Sequence, residues 1–194
     1  RRVLVRYRRF PLYTSWGTLV GSAAFMVVPV LMTRHFGSAR AGLYFFGYRL
    51  VAAGMQLVAN SVTQIFYQRA ADMHKAGHPM GPLVEQMVAR LGMLCAAGLV
   101  VFLMMGDQLF ALAFGDAWRP AGDFMAIVMP MFCMQMIASP VSSVLFLLEK
   151  QHVASMVQLV LLGGAAGAFI LGGLLGLTPV MTLALYAASQ TTIY

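Results

Sequence analysis

One apolar stretch of the sequence, LYFFGYRLVAAGMQLVANSVTQIFYQRAAD at positions 43 to 72, carries polar side chains at helical spacing. Arg49 precedes Gln56 by seven residues, and Asn60 and Gln64 follow at four-residue intervals. Such positions fall on nearly one face of a helix, so these groups form a polar stripe. Either the amides bond neighbouring helices, or the stripe lines a hydrated cavity for a polar ligand. The presence of Arg49 in the stripe favours the second interpretation, because a charged side chain that faces lipid is rare.

A second polar stripe lies in a later apolar run, at three- and four-residue spacing. It contains Gln135 and the serines that follow it, and Ser155 and Gln158 lie one turn apart further on. The same two interpretations apply to these hydroxyls and amides. We predict that the cavity is lined by residues from both stripes, namely Arg49, Gln56, Asn60, Gln64, Gln135, Ser139 and Ser142.

We find no arrangement of side chains that is typical of an enzyme. Asp107, Asp116 and Asp123 cluster near segment ends, where a solvated loop face explains them better than acid–base catalysis. His74 and His78 have metal-ligand spacing, but Gly77 and Pro79 interrupt a helical pair of ligands. We therefore expect no catalytic residues, no metal site and no cofactor.

The composition is that of a membrane protein. Of the 194 residues, 60% are hydrophobic and 10% are charged, and the mean hydropathy is +0.79. Soluble domains usually carry about 25% charged residues. The net charge of +7 does not indicate a nucleic-acid partner, because the basic residues lie mostly between apolar runs. Cys95 and Cys133 lie within apolar runs and are predicted to be buried free thiols.

Six apolar segments predict an all-α, polytopic membrane fold: residues 13–33, 41–71, 84–114, 122–148, 152–176 and 179–194. A membrane span needs about 20 apolar residues, so the first five are long enough and the sixth is truncated. Short connections predict antiparallel neighbours. In the fifth segment, glycines at small-xxx-small spacing predict close helix packing: Gly163, Gly167, Gly172 and Gly176.

The distribution of lysine and arginine predicts the orientation. With six spans, both ends of the chain lie on one side, together with nine of these residues, and three lie on the other side. By the positive-inside rule, the side with nine is cytoplasmic. The chain is therefore expected to cross the membrane several times, with both of its ends in the cytoplasm.

Five motifs in order resemble the Wzx-type oligosaccharide flippases of the multidrug/oligosaccharidyl-lipid/polysaccharide (MOP) transporter superfamily. They are YRRFPLYTSWGTLV at 7–20, GLYFFGYRL at 42–50, IFYQRAAD at 65–72, FGDAW at 114–118 and ASPVSSVL at 138–145. Such proteins usually have two six-helix lobes. The resemblance implies that residues 1–194 form the second lobe, and that an N-terminal lobe precedes them in the complete polypeptide.

The resemblance also implies a location and a function. The location is the bacterial cytoplasmic (inner) membrane, and the function is the translocation across it of an undecaprenyl-diphosphate-linked oligosaccharide for lipopolysaccharide O-antigen or other surface polysaccharide. Arg49 would pair with the diphosphate, because guanidinium matches phosphate geometry. The implied partners are the lipid-linked oligosaccharide, the other lobe, membrane lipids and other polysaccharide-assembly proteins, but not nucleic acid. Two alternatives remain: a drug/cation antiporter of the same superfamily, and a membrane-embedded glycan polymerase or ligase.

Overall fold

The computed structural model describes residues 22, 26–77, 79, 81–147 and 151–194. Most of the predicted first segment, residues 13–33, lies outside these residues, as do the arginines at positions 1 to 9. The orientation prediction depends on those arginines and on Lys150, which also lies outside the described part. The nine-to-three asymmetry is therefore a property of the sequence that the structure does not test.

The described residues form an all-α fold, as predicted. Helix α1 covers residues 26–36, and the helices that follow are α2 (Ser38–Lys75), α3 (Gly81–Phe114), α4 (Arg119–Leu147), α5 (Gln151–Leu174) and α6 (Pro179–Ile193). A 3₁₀ turn, Asp116–Trp118, joins α3 to α4. Helix α2 extends beyond the predicted segment 41–71 at both ends, because polar residues outside the apolar run continue the helix.

Glycines with left-handed backbone conformations separate several helices. Gly37, Gly115 and Gly176 have φ values of 86°, 94° and 62°, which residues with a Cβ rarely adopt. Helix α6 begins with a favourable cap, because the Thr178 side chain accepts a hydrogen bond from the Met181 N–H at 3.3 Å. These breaks allow successive helices to reverse direction over short connections.

Three helical segments are long and apolar enough to cross a membrane: Gly81–Phe114, Asp116–Pro140 and Ser155–Leu174. The protein is therefore a membrane protein. Among the described helices, α2 does not reach the same apolarity despite its 38 residues, because it carries the polar stripe. The arrangement of six spans in one lobe stays a prediction.

Helix α4 lies at the centre of the described helices. It packs against α2, α3 and α6, while α5 packs mainly against α6. Met125 and Val128 of α4 are completely buried. Helices α5 and α6 are also joined by a hydrogen bond, since the Gln190 amide Nε2 donates to the Leu161 carbonyl at 2.9 Å. The central position of α4 brings its polar residues between neighbouring helices.

Helices α3 and α4 make backbone contact where Gly106 meets Gly122. A Cβ placed on Gly122 would lie 2.6 Å from the Asp107 Cα and still closer to the backbone of Gly106. Only small residues allow helices to approach this closely. Farther along the same two helices, Cys95 and Cys133 lie side by side, which was not predicted. Both thiols are buried and free, as predicted, and each lies 3.6 Å from the carbonyl oxygen of the other residue.

Glycines of α5 do pack closely against other helices, as predicted, but most of them are not the glycines that the spacing indicated. Beside Gly163 and Gly167, a Cβ would meet no described atom within 4 Å, so these glycines are not at a described helix contact. The close contacts are made by Gly164, against Ile193, by the predicted Gly172, against Thr182, and by Gly173, against His35. Neighbouring residues differ by about 100° around a helix, so a shift of one position changes the face that packs.

The end of the molecule between α3 and α4 carries an exposed charge cluster and an aromatic cluster. Arg119 pairs with Asp107 at 3.2 Å and with Asp116 at 3.0 Å. Exposed pairs of this kind contribute about 0–1 kcal/mol, which agrees with the interpretation as a solvated face. Beside them, the Phe46 ring lies 4.2 Å from the Trp118 ring, between centroids.

Candidate functional site

A cavity of about 570 Å³ lies between α2, α4, α5 and the end of α6. Helices α2 and α4 contribute most of its lining. Helix α5 contributes Gln158, and Tyr194, which directly follows α6, also lines the cavity. Its volume falls within the range of about 300–1,000 Å³ that is usual for ligand pockets. The cavity is a cleft that is open on one side, and Gln56, Gln135 and Ser142 of its lining are exposed.

One wall of the cavity carries neutral hydrogen-bonding groups. Gln135, Ser139 and Ser142 lie at helical spacing on α4, and Gln56 and Gln158 lie on the helices to either side. Amides supply both donors and acceptors, and hydroxyls supply one donor and two acceptor lone pairs. This wall can therefore bind a ligand that presents many hydroxyl or amide groups.

Aromatic rings form another part of the lining. The Tyr48 ring lies 5.0 Å from the Phe132 ring, between centroids, and Tyr194 also lines the cavity. Such rings give a flat apolar face, and tyrosine adds a polar hydroxyl. The lining residues include no charged side chain among those described. The combination suits a neutral polar ligand that also has apolar ring faces.

Two further polar groups lie at the cavity. Thr63 is one of the lining residues. Its hydroxyl oxygen is buried and has no hydrogen-bond partner among the described residues. Pro140, within α4, has no N–H to donate to the carbonyl of Met136, another lining residue. A buried polar group without a partner costs about 1–3 kcal/mol, so the Thr63 hydroxyl lowers the stability of this part of α2.

The structure brings four of the seven predicted residues together in this cavity: Gln56, Gln135, Ser139 and Ser142. Asn60 is not among the lining residues, but its Oδ1 accepts a hydrogen bond from the Gln56 Nε2 at 2.9 Å. Arg49 and Gln64 are exposed and also lie outside the lining.

Helical geometry explains why the predicted stripe on α2 divides in this way. The cavity face of α2 is centred near Ala52 and Ala59, and Gln56 lies at its edge. A four-residue step overshoots a full turn by about 40°, so Asn60 and Gln64 lie progressively farther from that face. Seven residues make almost two full turns, so Arg49 lies about 20° from Gln56 around the helix axis, just beyond the edge of the cavity face.

Sequence reasoning missed several residues that line the cavity. Tyr48, Thr63 and the aromatic residues Phe132 and Tyr194 line the cavity but were not predicted to do so. A signal exists on α2, where Tyr48, Ala52, Ala59 and Thr63 recur at intervals of four or seven residues. The small alanines are what make room for a cavity there. Over the described chain, no three His, Cys, Asp or Glu side chains are grouped so as to hold a metal ion.

Comparison with known proteins identifies a family. Residues 1–123 match the model of the polysaccharide biosynthesis protein family, and this match includes α1 to α3 and the start of α4. No curated protein and no solved structure matches the chain. Since the family match covers more than half of the chain, the protein belongs to the polysaccharide biosynthesis protein family.

Proposed function

We propose that this chain is the second six-helix lobe of a Wzx-type flippase of the MOP superfamily. The flippase moves an undecaprenyl-diphosphate-linked oligosaccharide from the cytoplasmic to the outer leaflet of the bacterial inner membrane. In this proposal the protein is a transporter and not an enzyme. The observation that carries it is a cleft lined by neutral polar and aromatic side chains between the helices of a membrane protein, in a chain of the polysaccharide biosynthesis protein family.

The chemistry of the cavity supports a saccharide as the ligand. Sugar hydroxyls can donate and accept hydrogen bonds with Gln135, Ser139 and Gln158, each contributing about 0.5–1.5 kcal/mol net. The apolar face of a sugar ring can pack on Tyr48 or Tyr194. Many weak contacts of this kind suit a transporter, because the ligand has to be released again.

The exposed polar stripe of α2 supports a second lobe. Arg49, Asn60 and Gln64 are exposed, and an arginine facing lipid at mid-membrane costs about 2.5–3.5 kcal/mol on insertion scales. Another lobe of the polypeptide, packed beside α2, would cover these groups and enclose water between the lobes. Alternating access would then come from one lobe rocking against the other.

Complementation tests this proposal. The complete protein should restore surface polysaccharide to a bacterial strain that lacks its own flippase for the matching glycan. Export would be measured by extraction and gel analysis of the polysaccharide. Failure to restore any of a panel of glycans, at normal abundance of the protein in the membrane, would contradict the proposed function.

Arg49 is proposed to bind the diphosphate, and this gives a prediction in the same strain. Arg49→Ala should lose most export while the protein still accumulates in the membrane, because the cation for the diphosphate is lost. Arg49→Lys keeps the charge but loses the bidentate geometry, and should retain part of the activity. Export and abundance are measured in the same cells.

The matched control for this pair is Arg69→Ala, on the same helix and also exposed. If Arg49→Ala lowered abundance while export per molecule stayed unchanged, Arg49 would have a structural role and no part in binding.

The orientation proposed from the sequence gives another prediction. A cysteine introduced at Lys75, the last residue of α2, should react only with thiol reagents that enter the cytoplasm. A cysteine at Ala117, in the turn between α3 and α4, should react with reagents that do not cross the membrane. The native Cys95 and Cys133 are buried and give little background. The opposite labelling pattern would reverse the orientation and the direction of transport.

A further inference from the structure

A second cavity, of about 540 Å³, is an apolar groove between α2 and α3 whose floor is α4. Helices α2 and α3 both pack along α4, but over the described residues they make little contact with each other. The groove adjoins the polar cavity, because Met55 of α2 and Met136 of α4 line both. Besides hydrocarbon side chains, the described lining holds four side chains that contain sulfur, those of Met55, Cys95, Met129 and Met136.

Cys133 of α4 adds a fifth sulfur beside the groove. Cys95 of α3 and Cys133 lie side by side, and both thiols are buried and free. Each Sγ lies 3.6 Å from the carbonyl oxygen of the other residue, and the two thiols also hydrogen bond to each other. Because the two positions are 38 residues apart, no local spacing in the sequence indicates this pair. Two thiols from different helices are therefore close enough to bind the same small ion.

Two buried methionines of α4 flank this pair of thiols. Met129 precedes Cys133 by four residues and Met136 follows it by three, so all three lie within about 60° around the helix axis. A Cβ on Gly98, which lies one turn after Cys95, would be 3.3 Å from the Met129 Cε. The thioether end of Met129 therefore lies against the part of α3 that carries Cys95, and the sulfur-containing side chains lie on the facing surfaces of α3 and α4.

The donor atoms of this cluster suit a soft, monovalent cation. Thiolates and thioethers are soft ligands that favour Cu(I) over hard cations such as Mg²⁺ and Ca²⁺. Zn²⁺ usually takes four cysteine or histidine ligands, and no histidine is among the described residues that line the groove. One Cu⁺ that displaces one thiol proton leaves the net charge of the site unchanged, and a net charge in apolar surroundings would be costly.

The polar cavity gives an ion a path to these sulfur atoms. Its hydroxyl and amide oxygens can contact a cation that has lost part of its water. Met55 and Met136 lie at the boundary between the polar cavity and the apolar groove. Methionine is unbranched and flexible, so its thioether can contact an ion on either side of this boundary.

We propose that Cys95, Cys133, Met129 and Met136 bind one Cu(I) ion between α3 and α4, and that Met55 lies at the entrance from the polar cavity. On binding, a Cu–S bond to one cysteine forms as its S–H bond breaks, and the proton leaves to water in the polar cavity. No electron is transferred. The proposal is independent of the proposed function, because it concerns an ion that bridges two helices and not the transported ligand.

The test measures Cu(I) binding by the complete protein in detergent. Under argon, with ascorbate as the reductant, the protein competes for Cu(I) with the coloured chelator bicinchoninate. We expect Cys95→Ser and Cys133→Ser each to weaken binding about 100-fold, since even the loss of an outer-shell partner of a metal costs about 10–100-fold. Comparison with the unmodified protein isolates this site from any other part of the polypeptide that binds copper.

Met129→Leu and Met136→Leu test the thioethers at nearly constant side-chain volume. Each should weaken Cu(I) binding about tenfold. Exchanges between methionine and leucine are well tolerated in protein cores, so these variants decide the proposal if a serine variant fails to fold. The melting temperature of each variant without copper identifies such a failure.

The matched controls are Met134→Leu on α4 and Met104→Leu on α3. These methionines are 40% and 73% exposed and line neither cavity, so both variants should bind Cu(I) like the unmodified protein. Weaker binding by the controls, equal to that of Met129→Leu, would show that copper binds methionines anywhere on the protein and would overturn the proposal.

X-ray absorption at the copper edge gives a second measurement, the identity of the ligand atoms. We expect only sulfur neighbours, and excess Zn²⁺ should not displace the Cu(I). Nitrogen or oxygen neighbours, or binding that the cysteine and methionine variants leave unchanged, would show adventitious copper only and overturn the proposal. If copper binds as expected but complementation fails, the copper site stands and only the flippase proposal is wrong.

Discussion

Replacing Gly122 with alanine is expected to destabilise the membrane-embedded fold strongly. The added methyl group would collide with the backbone at Gly106 and Asp107, and neither helix can relieve this without moving away from the other. Overpacking of this kind typically costs about 1–3 kcal/mol, and occasionally more. A change of 1 kcal/mol corresponds to about 2–4 °C in a chain of this size. The measurement is the melting temperature of the purified protein in detergent.

Gly92→Ala, also on α3, is the matched control. A Cβ there meets no described atom within 4 Å, and alanine favours a helix by about 1 kcal/mol over glycine. The control should therefore melt at the same temperature as the unmodified protein or slightly above it. If Gly122→Ala behaved like Gly92→Ala, the backbone contact between α3 and α4 would not exist.

Filling the polar cavity is expected to have the largest effect on transport. Ser139 is half-buried and lines the cavity from α4, so Ser139→Phe would place a ring where the sugar is proposed to bind. Export should fall about tenfold or more, which corresponds to at least 1.4 kcal/mol of lost interaction. Polysaccharide export is measured in the complementation strain, with protein abundance determined from the same cells.

Met134→Phe is the control for this variant. Met134 lies on the same helix, is 40% exposed and lines neither cavity, so export should be unchanged. A smaller change, Gln135→Leu, removes only neutral hydrogen bonds of about 0.5–1.5 kcal/mol and should reduce export less than Ser139→Phe. Normal export by Ser139→Phe at normal abundance would show that the substrate does not pass through this cavity.

Part of the site was predictable because it depends on local spacing. Gln135, Ser139 and Ser142 recur at three- and four-residue intervals, and on any helix they share a face. The polarity of that face in an apolar helix already required a neighbour that could accept hydrogen bonds or water. The structure places all three at one cavity, and their binding of a substrate stays a prediction.

The polar stripe on α2 shows what local spacing cannot predict, namely which side of a helix faces the cavity. Four-residue spacing placed Arg49, Gln56, Asn60 and Gln64 on one side of the helix, which is geometrically correct. Only Gln56 lies in the cavity, because α4 meets α2 on the side of Val51 and Met55 rather than on that of the stripe. Which side a neighbour occupies depends on packing between residues about 80 positions apart.

The sequence by itself determined the membrane character, the all-α fold and the approximate extent of the helices. Those properties follow from hydropathy, from 3.6 residues per turn and from glycines at the ends, all of which act over a few neighbouring residues. Only the tertiary structure decided that Gly106 meets Gly122, that Tyr48 and Tyr194 share a cavity, and that an apolar groove adjoins it. Each of these features depends on the distance and the rotation between helices. Side-chain packing sets both, and they cannot be read from the periodicity of the sequence.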